Sequence, residues 1–243
     1  MAKYKDIGGT TVGFRSGSEE YTYPSGFEGS IYYNSGNGQF EFVGLGTGTW
    51  ASGTSFNTGR TAHGSTGNTS NALIFGGSPP YTGITELWNG SSWTEVADLS
   101  QARYQCTPGI GKSTTSALCV GGLLNPGNQL FANNESWNGS TWTEVNDLNV
   151  AKRATAGQSG TGVSALCFGG LTATPAYVRT NEDWNGSSWV ELADMSASGG
   201  SGGGGAAADS TAAVAFGGYV SPSYSASTEE WSSTSVTTKV LTD

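Results

Sequence analysis

Ser164-Ala165-Leu166-Cys167-Phe168-Gly169-Gly170, followed further on by Trp184-Asn185-Gly186-Ser187-Ser188-Trp189, is the stretch on which the reading of this chain turns. A short apolar run closed by a double glycine reads as a buried strand. Asn-Gly between two aromatic-flanked segments is a hairpin signal, with both turn positions expected at positive φ. The hairpin sets Trp184 and Trp189 on neighbouring strands, where a cross-strand aromatic pair adds stability.

Moving outward in both directions, the same two landmarks recur. The apolar run and double glycine return at Asn71 to Gly76-Gly77, at Ser116 to Gly121-Gly122 and at Ala212 to Gly217-Gly218. The paired tryptophans return as Trp88 with Trp93 and as Trp137 with Trp142. In the last copy Trp231 is kept, Val236 takes the second place, and Ser232-Ser233 replaces Asn-Gly. Six residues after the second tryptophan stands an apolar residue (Leu99, Leu148, Met195), and ten after it a basic one in two copies (Arg103, Lys152). The same ruler fits Trp50, Phe56 and Arg60, with Gly46-Thr47-Gly48-Thr49 as a worn turn after Leu45. Steps between slots are 43, 49, 47 and 47 residues, which makes five units.

Each unit reads as four strands. Strand a follows the basic residue, as in Arg103 to Gly109; strand b is the double-glycine run; strand c leads into Trp-Asn-Gly; and strand d starts at the second tryptophan, where Thr94-Glu95-Val96 alternates polar and apolar. In a variant first unit, Ser30 to Tyr33 is b, Gln39 to Val43 is c and the Trp50 region is d, with any inner strand drawn from 10–18. The Gly- and Ala-rich tract from Gly199 to Ala206 aligns with strand a of the last unit, where small residues suit a crowded axis. Repeated four-stranded units of about 47 residues predict an all-β propeller of five blades over 29–243, preceded by an arm, 1–28, expected to dock on a partner.

The chemistry expected of this frame is spare. Glu86, Glu135, Glu182 and Glu229 each lie two residues before the first tryptophan, and are expected to form scaffold ion pairs with Arg60, Arg103 and either Lys152 or Arg153, the last unit lacking a base at that slot. Tyr81, Tyr177 and Tyr224 lie seven before that tryptophan, with Phe131 near the slot in the second full unit. They fall in proline-containing loops, where binding sites concentrate, and are the candidate contacts for a ligand or partner. The alternative is that each tyrosine packs between neighbouring units. His63 is the only histidine and aligns, three after the basic slot, with Cys106 and Ala156, so a metal site is not expected. Cys106 and Cys119 face each other across the a–b hairpin; a disulfide is geometrically open to them but not expected in a reducing cytoplasm. Asn89, Asn138 and Asn185 match glycosylation acceptors but read as plain turns.

With one histidine, no Gly-x-Ser-x-Gly elbow and no phosphate-loop lysine, nucleophilic and phosphoryl-transfer catalysis are not indicated. A net charge of −9 argues against a phosphate-tracking nucleic-acid binder. The 39 glycines follow no three-residue period, and 8 Trp, 10 Tyr and 9 Phe supply a core, which argues against both collagen and disorder. Neither a secretory signal nor an apolar run of membrane-spanning length is seen.

The double glycine after an apolar strand and the tryptophan opening the outer strand resemble the kelch repeat. More narrowly, the Trp-Asn-Gly-Ser-Ser-Trp and Ser-Ala-Leu-Cys-Phe-Gly-Gly strings, with the leader Gly29 to Ser35, resemble the kelch-like, galactose-oxidase-central-domain-like repeats of structural proteins of tailed marine bacteriophages. The resemblance implies a non-enzymatic virion protein (tail fibre, decoration or adhesin component), assembled in the host cytoplasm. Its partners would be other capsid or tail proteins and its presence multi-copy; a lectin-like role on a host surface glycan is the alternative. The copper site of galactose oxidase needs histidine together with a Tyr–Cys crosslink, so with His63 alone no cofactor carries over.

Overall fold

The computed structural model describes residues 31–34, 39–42, 50–106, 110–124, 129–155, 157–172, 176–196, 204–207, 209–220 and 222–233. The chain divides into two compact units, Met1–Ser52 and Gly53–Asp243. In the first, Ile31–Asn34 pairs antiparallel with Gln39–Phe42, in the register Ile31 opposite Phe42, which are the two strands expected there. The predicted arm at 1–28 and the inner strand at 10–18 lie outside the described residues. Trp50 does not open an outer strand as expected: it is in no strand and is fully exposed. In the sequence, the residues before it, 46–49, offer no asparagine carboxamide of the kind that organises the other turns, and Leu45 stands where the other units supply a pairing tryptophan.

The second unit is a series of small antiparallel sheets, and no helix occurs among the described residues. Sheet 1 is Gly64–Gly67, Ala72–Phe75, Thr85–Trp88 and Trp93–Val96. Sheet 2 is Ile110–Ser113, Ser116–Val120, Asn134–Trp137 and Trp142–Val145. Sheet 3 is Gly157–Thr161, Ser164–Phe168, Asn181–Trp184 and Trp189–Leu192. Sheet 4 has three described strands, Gly204–Ala207, Ala212–Phe216 and Thr228–Ser232. Within each, sequence neighbours are sheet neighbours, the a-b-c-d order read from the repeat. The first strands of successive sheets lie against one another, 1 on 2, 2 on 3 and 3 on 4.

Apolar side chains from adjacent sheets then make three cores. Leu73, Phe75 and Leu99 of the first repeat meet Ala117, Cys119 and Trp137 of the second. Leu118, Val120 and Leu148 meet Ala165, Cys167 and Trp184. Leu166 and Phe168 meet Ala215, with Met195 and Trp231 against them. Burial of such faces is the main driving force holding sheet to sheet.

The paired tryptophans stand in register, Trp88 opposite Trp93, Trp137 opposite Trp142 and Trp184 opposite Trp189, with ring centroids 5.3–5.4 Å apart. The turn between them corrects the expectation. It is a four-residue loop in which only the glycine has positive φ (93° at Gly90, 98° at Gly139, 94° at Gly186). The asparagine acts through its side chain: Asn89 Oδ1 accepts the amides of Ser91 and Ser92 at 3.0 and 2.9 Å, and Asn138 and Asn185 do the same.

Strand a of sheet 2 also starts later than expected, at Ile110 rather than Arg103. Arg103 sits on the linking segment: its backbone bonds to Thr82 and Gly77 of sheet 1, while its side chain reaches into sheet 2. The double glycines make room for that link. Both members have positive φ in all four copies. A Cβ on Gly76 would lie 2.5 Å from the Arg103 carbonyl, and one on Gly121 2.5 Å from the Lys152 carbonyl. Any side chain there would push the next sheet away. Gly169-Gly170 and Gly217-Gly218 keep the same conformation.

Candidate functional site

Two sets of side chains stand out: a buried charged staple repeated along the scaffold, and an aromatic cluster at the loops. The staple begins with the glutamate of strand c. Glu86 lies 2.6 Å from Arg60, Glu135 2.9 Å from Arg103 and Glu182 3.0 Å from Lys152, all with side chains essentially inaccessible to solvent. Lys152, not Arg153, therefore fills the basic slot, and counting three residues on from it aligns His63 and Cys106 with Thr155. The second carboxylate oxygen accepts the amide one residue after the apolar slot: Asn57 at 2.7 Å, Ser100 at 2.8 Å, Asn149 at 2.7 Å and, from Glu229, Ser196 at 2.7 Å. Each glutamate thus clasps the segment arriving from the preceding repeat.

Burial pushes Glu86 up, but the hydrogen bond from Arg60, the Asn57 amide and the Arg60 charge outweigh it and hold the carboxyl below its usual range. The arginines also bond to backbone: Arg60 Nε donates to Gly76 O at 2.8 Å, and Arg103 Nη1 to Asn133 O at 2.7 Å. These acids and bases are spent on joining repeats.

A further repeated bond was not foreseen. The indole N–H of the first tryptophan donates to a carbonyl in the a–b turn of its own sheet: Trp88 to Thr69, Trp137 to Thr114, Trp184 to Gly162 and Trp231 to Ser210, at 2.8–3.0 Å. It explains why this slot is tryptophan in all four copies and never phenylalanine. The signal was in the sequence as that invariance.

The predicted contact residues divide. Tyr81 is 42% exposed and packs on Tyr104 at 5.0 Å. Tyr224 is 87% exposed, 5.1 Å from Tyr219, against whose other neighbour, Tyr177, the separation is 5.4 Å. Phe131 is a correction: it is buried, with the Arg103 guanidinium 4.6 Å from its ring centre, and so serves the staple rather than a surface. Phe131 N bonds to Gly122 O at 3.0 Å, which holds this segment against the double glycine.

Near Tyr81 the loops bring Tyr104 and Gln105, which the sequence did not single out, and Arg153, which it offered only as a candidate for the staple. They come from the segments entering sheets 2 and 3. Ala62, Gln105 and Ala154, each two after a basic slot, have positive φ (52°, 57° and 46°). They are linked in series: Gln105 N donates to Ala62 O at 2.9 Å, and Ala154 N to Gln105 O at 3.1 Å. Left-handed non-glycine residues are uncommon, and a repeated one marks a constrained rim. On that rim Arg153 Nη1 donates to Gln105 Oε1 at 2.7 Å. Burial raises the Tyr104 phenol, the neighbouring Tyr81 adds to the rise, and Arg153 works against it.

The cysteines are free and buried. Cys106 and Cys119 share one core, and burial drives the Cys119 thiol well up. Among the described residues no group of three or more His, Cys, Asp or Glu converges as a metal site would.

No family model matches the chain. No curated protein matches it either. Among solved structures, one titled "Structure of YjhT" is similar, at 10% identity and a TM-score of 0.56, over 68% of this chain. The chain spans 60% of that structure's length. At that identity the likeness concerns the fold alone, and the serial small antiparallel sheets are consistent with a β-propeller.

Proposed function

We propose that the chain is a non-enzymatic structural and interaction protein of a bacteriophage particle, a five-bladed kelch-like propeller serving as a tail fibre, decoration or adhesin component and assembled in the host cytoplasm. The observation that carries this reading is the use of the repeated acids and bases as buried inter-repeat staples, which leaves aromatic loops as the chemically distinctive exposed features. The phage context rests on the resemblance of the Trp-Asn-Gly-Ser-Ser-Trp and double-glycine strings. Its partners are other capsid or tail proteins, reached by protein–protein docking. Cryo-electron microscopy of purified particles, with mass spectrometry on the same material, tests it. Peptides of this chain together with density for a 24.9 kDa propeller at a capsid or tail site are expected; particles without the chain overturn the assignment.

A second reading, glycan recognition by the loops, is favoured by the exposure of Tyr81 and Tyr224. The two roles coexist in a receptor-binding virion protein.

A further inference from the structure

We infer that Tyr81, Tyr104, Gln105 and Arg153 form a binding site for a carboxylate-bearing sugar, the pyranose lying on Tyr81 and the carboxylate meeting Arg153. The inference rests on the glycan-recognition reading and gives it one place and one ligand class. It replaces a set of equivalent tyrosine sites, one per repeat, by a single composite site.

Three observations carry it. The first is the platform. Tyr81 is 42% exposed, and its ring is held from the other side by Tyr104, 5.0 Å away and inclined at 55°. A tyrosine braced in this way presents an apolar surface at little cost in side-chain freedom, which suits stacking on the C–H face of a sugar.

The second is the charge. Arg60, Arg103 and Lys152 each have a buried glutamate within 3.0 Å. Arg153, next in sequence to one of them and half-buried, has no carboxylate within ion-pair distance among the described residues. Among the described residues its side chain donates to the neutral Gln105 amide oxygen, which orients the guanidinium without neutralising it. In a chain of net charge −9, a half-buried cation held in this way is a feature an anionic ligand can use, and the guanidinium fork matches a carboxylate.

The third is preorganisation. Tyr104 and Gln105 are adjacent; Tyr104 is tied to Leu123 by a reciprocal backbone pair at 3.1 and 2.8 Å, and Gln105 to Ala62 and Ala154. The rim that carries the polar groups is therefore fixed by backbone bonds across three repeats, not by loop side chains alone. Tyr177, Tyr219 and Tyr224 form a comparable aromatic group; the nearby Arg179 is exposed, and its guanidinium donates to the Ser196 carbonyl.

The test uses the full chain and two probes: a galacturonic-acid oligosaccharide and a neutral galactose oligosaccharide of equal length, titrated by calorimetry and by ligand-observed NMR. The acidic probe is expected to bind and the neutral one to bind about tenfold more weakly or not at all. Arg153→Gln is expected to remove that preference, and Tyr81→Ala to weaken both probes. Arg179→Gln, which alters an exposed arginine bonded to the Ser196 carbonyl, is the control and leaves binding unchanged. Circular dichroism checks that each variant is folded. Equal binding of the two probes by the wild type, or an Arg153→Gln variant that keeps the preference, overturns the charge assignment while leaving glycan recognition standing. If neither probe binds the folded wild type, this site falls; binding of other glycans abolished by Tyr224→Ala would then place recognition at the second aromatic group.

Discussion

The junction between sheets 1 and 2 and that between sheets 3 and 4 are built on the same backbone plan and finished differently. At the first, Trp142 leans back from sheet 2 onto sheet 1: its ring meets Phe75 edge-on at 4.8 Å, and its indole N–H donates to Thr85 Oγ1 at 2.9 Å. At the last, Phe168 and Asn181 stand in the places of Phe75 and Thr85, and they line a groove of about 110 Å³ with Met195, Ala213, Ala215 and Trp231. Asn181 Oδ1, buried there, has no hydrogen-bond partner among the described residues. The residue in the tryptophan slot of the last repeat is Val236, which lies outside the described residues. The staple differs in parallel: sheets 1, 2 and 3 each have an ion pair at 3.0 Å or less, whereas the basic slot of the last repeat holds Gly199, and Glu229 clasps Ser196 through its amide and hydroxyl. Strand pairing thus sets the plan of a repeat, while the fit between repeats depends on one large side chain and one cation.

The sharpest way to break this contrast is at the staple. Glu135→Gln leaves Arg103 buried without its counter-charge and is expected to cost about 3–5 kcal/mol. Glu229→Gln, at the less buried end, weakens charge-assisted bonds from the Ser196 amide and hydroxyl and is expected to cost about 1–2 kcal/mol. Urea titration of both variants reads the difference, and equal losses would show that the staple matters no more in the middle than at the end. The pH dependence follows in sign. The Glu86 carboxyl is held below its usual range in the folded protein, so its stabilisation is present above the usual range and is lost as pH falls through the lowered value. Glu86→Gln is expected to remove that part of the acid sensitivity along with the stability.

Trp142→Ala comes next, at about 3 kcal/mol, because it opens at the first junction a cavity like the groove at the last. Trp142→Phe keeps the contact with Phe75 and gives up the bond to Thr85, at about 1 kcal/mol. Melting temperatures of the two separate packing from hydrogen bonding. The smallest effect is a gain: Ala213→Val adds methyl groups against the last groove and is expected to stabilise by about 0.8 kcal/mol. A loss instead would mean that the groove is already occupied.

Local order was legible because it is written in neighbours. An apolar run with Gly-Gly, and tryptophans five apart around Asn-Gly, needed only a few residues each, and strands b, c and d of the three complete sheets formed where they were expected. The expected glutamate–base pairs were legible too, since duplication repeats them at constant offset. The choice of Lys152 over Arg153 was not, because adjacent residues on an irregular link cannot be told apart until the next sheet is packed against it. Phe131 was misplaced for the same reason: proximity to the tyrosine slot says nothing of the Arg103 guanidinium that draws it inside.

Composition and spacing by themselves determined an all-β chain of repeated four-stranded units, since hydrophobic period and turn chemistry act over a few residues. Tertiary structure alone decided which bases pair with a buried glutamate and which bonds to a neutral amide instead. It also decided that Tyr81 and Arg153, 72 positions apart in the chain, each contact one of the adjacent residues Tyr104 and Gln105. Charge pairing and ring contact act over a few ångströms of space, and only the packing of sheet on sheet sets those distances.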